Sequence, residues 1–267
     1  MHRHISNTQR ATVRLLGRFE VSVDGAVTPP TAWNRRMAAA LVKVLALAPG
    51  QRLHREQVID ILWPDEAPAL AAPKLHKAAH YARRAAGRLD AIVLRGDMVH
   101  LFPGADLAID VASFDELSRE ALASRDVATA EAALEHYQGE LLPDDLYEEW
   151  AAERRELLRL RHLNLLRLAG RWQEVSELEP DDEHARLEVL RLHVAQGDSG
   201  AALREYDRLA HVLDRDARPR PVGTSPCRGI VEDLIAELSE LTRRQATLLR
   251  TLAAAGLSEP QVAVAGS

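Results

Sequence analysis

The chain has 267 residues, 46 % apolar and 28 % charged, which suffices for two domains with buried cores and excludes a disordered tail. Its one cysteine, Cys227, excludes an internal disulfide framework and a four-cysteine zinc site, and points to a reducing compartment. The net charge of −6 joins two unlike halves: residues 1–110 hold 15 Lys and Arg against 10 Asp and Glu, whereas residues 111–267 hold 19 against 30.

The opening MHRHISNTQR has no apolar stretch, so no secretion signal is expected and residues 1–11 read as a tail. The segments TVRLL (12–16) and FEVSV (19–23) read as two short strands followed by an Asp24-Gly25 turn. Asn34 is the expected N-cap of a first helix with Met37, Leu41, Val44, Leu45 and Ala48 on one face, stopped by Pro49-Gly50. This longest apolar run, Met37 to Ala48, is interrupted by Lys43 and is too short to cross a bilayer. A soluble, cytoplasmic protein is expected. A second helix follows from His54 to Leu62, and a third from Pro73, a proline suited to a first turn, to Leu89. Residues 92–102 give a hairpin around Gly96-Asp97.

From Val111 onward the pattern predicts helices at about 113–124, 127–138, 145–169, 171–178, 182–196, 199–213 and 230–240, joined by short turns that imply antiparallel neighbours. Gly197, Ala202 and Tyr206 have the turn–small–bulky spacing of tetratricopeptide helix pairs, which Arg125, Ala130 and Leu134 echo. The expected fold class is therefore mainly α: an N-terminal winged helix-turn-helix (α+β) followed by an all-α, tetratricopeptide-like domain.

The third helix is the most informative segment. Leu75, Ala78, Ala79, Ala82, Ala86 and Leu89 form one narrow apolar face, and the opposite face collects Lys74, Lys77, Tyr81, Arg84 and Arg88, flanked by His76, His80 and Arg83. No carboxylate lies between Pro73 and Leu89, so this helix repels itself unless a polyanion is near. A short helix, a longer basic helix and a hairpin are the layout of a winged helix-turn-helix, with helix three in the major groove. Arg95 at the hairpin tip and Arg35 and Arg36 at the start of helix one are expected to reach the DNA backbone.

Residues 12–110 resemble the response-regulator type of winged helix, and residues 111–240 resemble the bacterial transcriptional activation domain that follows it in the SARP family of antibiotic regulatory proteins. The words that carry the resemblance include VRLLGRFEVSVDG, LHREQVIDILWPD, KLHKAAHYARRAAG, VLRGDMVHLFP, DVASF, YQGELLPDD, EEWAAERRELLRLRHLNLL and GDSGAALREYDRL. The resemblance implies a transcriptional activator that binds direct repeats in double-stranded promoter DNA and contacts RNA polymerase, with a homo-oligomer on DNA left open. The loop Trp63, Pro64, Asp65 and Glu66 and the activation domain would supply the polymerase contacts. The family usually has Ser or Thr where His54 caps helix two, and residues 217–229 are longer and richer in proline than its usual connection. Larger members continue into an ATPase, but none of this chain's three lysines follows a glycine, so no phosphate loop and no cofactor are carried over. Residues 241–263 are similar to the opening of a LuxR-type helix-turn-helix; residues 241–267 read as an amphipathic tail helix, the alternative being a truncated second DNA-binding domain.

His76 and His80 lack a third ligand for a metal, and their cationic neighbours oppose one. The pairs Asp144-Asp145, Glu148-Glu149 and Asp181-Asp182 stand at helix starts, where carboxylates suit the dipole. Trp33, Trp63, Trp150 and Trp172 read as core or junction anchors. No enzyme signal emerges. The competing readings are a helical-repeat adaptor and a one-component regulator that senses a ligand.

Overall fold

The computed structural model describes residues 10–215 and three isolated helical positions, Ala236, Arg243 and Thr247. The expected helix at 230–240, the tail from 241, the segment 217–229 with Cys227, and residues 1–9 fall largely or wholly outside the described residues. By internal contacts the chain divides into two units, Met1–Ala169 and Gly170–Ser267.

The first unit runs β1 (Arg10–Arg14), β2 (Glu20–Val23), β3 (Ala26–Val27), α1 (Arg36–Leu47), β4 (Arg52–His54), α2 (Arg55–Leu62), α3 (Pro68–Ala85), β5 (Ile92–Arg95), β6 (Met98–Leu101), β7 (Asp106–Ile109), α4 (Asp110–Ser124), α5 (Val127–His136) and α6 (Glu149–Leu168). Alternation along β1 and β2 turns Ala11, Val13 and Val21 into the core. Asp24 and Gly25, both at positive φ, make the turn that follows β2, and the Asp24 carboxylate accepts from the Arg10 backbone N–H at 3.0 Å. The first sheet has the order β3-β2-β1-β7, with β7 parallel to β1; the second is β4-β6-β5, antiparallel throughout. Strands β3, β4 and β7 were not expected from the sequence. The hairpin around Gly96-Asp97 is where the alternation placed it.

Two helix starts differ from expectation. Asn34 does not cap α1: it ends a 3-10 turn (Pro30–Trp33), and Arg35 takes the cap position without a side-chain bond. Helix α3 starts at Pro68, which takes the first-turn role expected of Pro73, and Pro73 lies inside the helix. The same helix stops at Ala85, and Gly87 turns the chain at φ 67°. Leu89 is therefore not on its apolar face but 89 % exposed. Leu75, Ala78, Ala79 and Ala82 are buried, and the small size of the three alanines lets α1 and α2 pack closely against α3. His54 does cap α2: its Nδ1 accepts from the Glu56 N–H at 3.4 Å, while Gln57 Oε1 accepts from the His54 N–H at 3.0 Å.

Helices α4 to α6 belong to the same unit as the winged helix, and specific contacts seat them. The Asp110 carboxylate, opening α4, accepts from the backbone N–H groups of Leu15 and Leu16 at 2.8 and 2.9 Å. Burial pushes this carboxyl up from its ordinary value, opposed by those N–H bonds. Leu16 bridges to Leu141, and the Leu142 N–H donates to the Leu15 carbonyl at 2.9 Å. Gly17 and Gly139 meet so closely that a Cβ on Gly17 would lie 2.6 Å from the Gln138 carbonyl oxygen. Lys43, 7 % exposed within α1, donates to Asp145 at 2.5 Å and lies 4.7 Å from the Phe19 ring centroid.

Helix α6 begins at Glu149, later than expected, because Pro143–Asp145 forms a separate 3-10 turn. The second unit contains α7 (Trp172–Leu178), α8 (Glu183–Ala195) and α9 (Ser199–Arg215). The tetratricopeptide-like echo has a structural counterpart in each unit. Arg125 and Gly197, both at positive φ, turn α4 into α5 and α8 into α9, and fully buried Ala130 and Ala202 face the preceding helices. Asp182 caps α8 through the Ala185 N–H at 3.0 Å. In the second unit, Arg186 and Arg208 both donate to buried Glu205.

Candidate nucleic-acid interface

The surface of interest is the outer face of α3 with the wing β5–β6. Its sequence leaves the long polar side chains no inward option, since positions 75, 78, 79 and 82 are filled by the buried stripe. His76, Lys77, His80 and Arg84 consequently point outward and are exposed. Neither Lys77, Arg84 nor His76 has an ion pair or hydrogen bond among the described residues. His80 meets Tyr81 edge to face, with centroids 5.4 Å apart. Tyr81 is half-buried, and the Arg35 guanidinium rests over its ring at 5.1 Å.

The other candidate residues are differently placed. Lys74 donates to Glu66, so it is exposed but already neutralised. Arg36 is paired with Glu148, and that hydrogen bond holds the Glu148 carboxyl below its usual range. Arg88 lies beyond the end of α3 and binds Asp90 through two bonds of 2.8 and 2.5 Å, with Asp24 at 3.9 Å; it does not belong to the outer face. Arg83, on the flank, turns in and donates to the Ile92 carbonyl at 2.7 Å, tying α3 to β5. Arg95 is exposed at the end of β5, beside Gly96 at φ 58°. In the loop after α2, Trp63 is buried at 9 % exposure, while Pro64 and Asp65 are exposed.

Sequence reasoning passed over Arg52. It is exposed on β4, paired in register with His100 of β6, and so stands on the same three-stranded wing as Arg95. The alternation Arg52-Leu53-His54 was the available signal, but three residues are too few to separate a strand from a loop. Among the described residues no three histidine, cysteine or carboxylate side chains gather as a metal site, and no helix is long and apolar enough to cross a membrane.

No family model and no curated protein matches the chain. A solved structure does: Mycobacterium tuberculosis EmbR in complex with a low-affinity phosphopeptide, at TM-score 0.56 and 16 % identity, over 91 % of this chain and 71 % of that one. The likeness is one of fold. That fold comprises an N-terminal winged helix-turn-helix with small sheets, followed by a helical region.

Proposed function

We propose that the chain is a sequence-specific DNA-binding transcriptional activator, with α3 as the reading helix, β5–β6 as the wing and no enzymatic activity. The observation that carries this reading is the uncompensated positive face of α3: among the described residues Lys77 and Arg84 have no carboxylate partner, on a helix that contains no acid. Lys77, Tyr81 and Arg84 are the groups for base edges, with His76 and His80 beside them. Arg35, Arg95 and Arg52 are the phosphate contacts. Arg36, Lys74 and Arg88 contribute less, because each would have to leave a carboxylate first. The functional division we propose assigns residues 12–110 to DNA and 111–240 to activation. RNA polymerase is the proposed second partner, met by exposed Pro64 and Asp65 rather than by buried Trp63, and the proposed site of action is the cytoplasm. The likeness in fold to EmbR supports the regulatory class.

The test is selection of duplexes from a random library by the purified chain, followed by titration of the selected and a scrambled duplex. Arg84→Ala is expected to cost about 1–3 kcal/mol on the selected duplex and to relax preference at one base pair. Failure to enrich any sequence, with salt-insensitive binding, contradicts the proposal.

A further inference from the structure

We propose that the cleft between the start of α1, the end of α2 and α3 binds a small amphipathic anion, of the class of aromatic carboxylates. The cleft has a volume of about 360 Å³, at the small end of the range for small-molecule sites. Its floor is apolar, made by Met37, Ala38, Trp63 and Ala78, with the Tyr81 ring as one wall. Its rim carries Arg35, Arg36, Lys74 and Lys77. Glu148 holds Arg36 and Glu66 holds Lys74, which leaves Lys77 and Arg35 as positive groups without a carboxylate among the described residues. An inorganic anion satisfies those cations and leaves the floor wet, and a neutral hydrocarbon does the reverse. A flat ring bearing one carboxylate satisfies both.

Reading DNA makes no use of this floor, so the site adds an input to the protein. Lys77 and Tyr81 also belong to the face proposed for the major groove, so an occupied cleft and a bound duplex exclude one another. That exclusion rests on the DNA-binding reading, whereas the cleft itself does not.

The probe is 2-naphthoate, titrated into the full chain without DNA by calorimetry and tryptophan fluorescence, beside neutral 2-naphthalenemethanol and inorganic phosphate. The expected result is saturable one-to-one binding of naphthoate, at least tenfold tighter than either comparator, with the fluorescence change lost in Trp63→Phe. Met37→Trp fills the floor without altering the rim and is expected to weaken naphthoate at least tenfold. If circular dichroism shows that variant unfolded, Lys77→Ala decides instead, and must remove most of the advantage of naphthoate over the alcohol. No saturable signal, equal binding of acid and alcohol, or unchanged affinity in folded Met37→Trp overturns the site. In a separate duplex titration, saturating naphthoate is expected to raise the apparent Kd at least tenfold; an unchanged Kd overturns the exclusion. A chain that binds naphthoate but no duplex upholds the cleft and rejects the DNA-binding reading.

Discussion

Helix α3 carries Lys74, Lys77, Arg83 and Arg84 with no acid, and α6 carries Arg154, Arg155, Arg159, Arg161 and Arg167 with Glu149, Glu153 and Glu156, so both are net basic. Their surroundings are opposite. Asp115 of α4 receives Arg154 and Arg161, the latter at 2.5 Å; Arg155 donates to the carbonyls of Leu141 and Asp145; and Arg159 pairs with Glu156. On α3, Lys77 and Arg84 meet none of this. Positive charge marks a polyanion site only where the fold has supplied no counter-charge, and the counter-charges of α6 come largely from another helix. The arginines of α6 assemble the unit, as Arg83 of α3 does, while Lys77 and Arg84 of α3 are left for a partner.

The largest expected effect tests the α6 half of this contrast. Asp115→Ala strands two partly buried guanidiniums and is expected to cost about 2–4 kcal/mol of unfolding free energy in denaturant titration, the exposure of the arginines tempering the full buried-pair value. A loss below half a kcal/mol would mean that α6 is as solvated as α3. Next is the seam that joins α4–α6 to the sheet. Gly17→Ala combines positive φ with a Cβ pressed on the Gln138 carbonyl, and about 1–3 kcal/mol is expected from thermal or denaturant unfolding. Asp110→Ala, which orphans the Leu15 and Leu16 N–H groups, is expected to fall in a similar range.

The smallest effect separates the two kinds of cation by pH. Because Arg36 depresses the Glu148 carboxyl, the folded state releases that proton more readily than the unfolded one. The stability it adds is present above the ordinary glutamate value and is lost as pH falls through the lower, folded value. Wild type is expected to exceed Glu148→Gln by about 0.5–1 kcal/mol at neutral pH, since Arg36 is well exposed, and the gap closes in acid. A gap independent of pH would show that the pair contributes nothing through charge. Asp110 runs the other way: its raised value means that its protonated form is favoured on folding, so its contribution is greatest in acid and is lost as pH rises through the folded value.

What the sequence disclosed is what local chemistry decides. The hairpin at Gly96-Asp97 was legible because alternating residues flank a turn that needs positive φ, and the buried stripe Leu75–Ala82 because helical spacing fixes a face. The start of α3 was misplaced because Pro68 and Pro73 both suit a first turn, and only packing chooses between them. β7 escaped because its partner, β1, lies 96 residues away. For the candidate site, the outward set His76, Lys77, His80 and Arg84 was legible, but the removal of Arg36, Lys74 and Arg88 by carboxylates was not. Glu148, 112 positions from Arg36, leaves no trace in the local pattern.

Discrimination between the selected duplex and a scrambled one tests the contrast between the two helices most directly. Wild type, the double variant Lys77→Ala/Arg84→Ala on α3, and Arg159→Ala on α6 are titrated with both duplexes at one salt concentration. The double variant is expected to lose most of its preference for the selected duplex, at about 1–3 kcal/mol per base-reading side chain, while Arg159→Ala keeps the wild-type preference. An unchanged preference in a folded double variant would show that α3 does not read the bases and would remove the basis for reading it as the DNA-contacting helix.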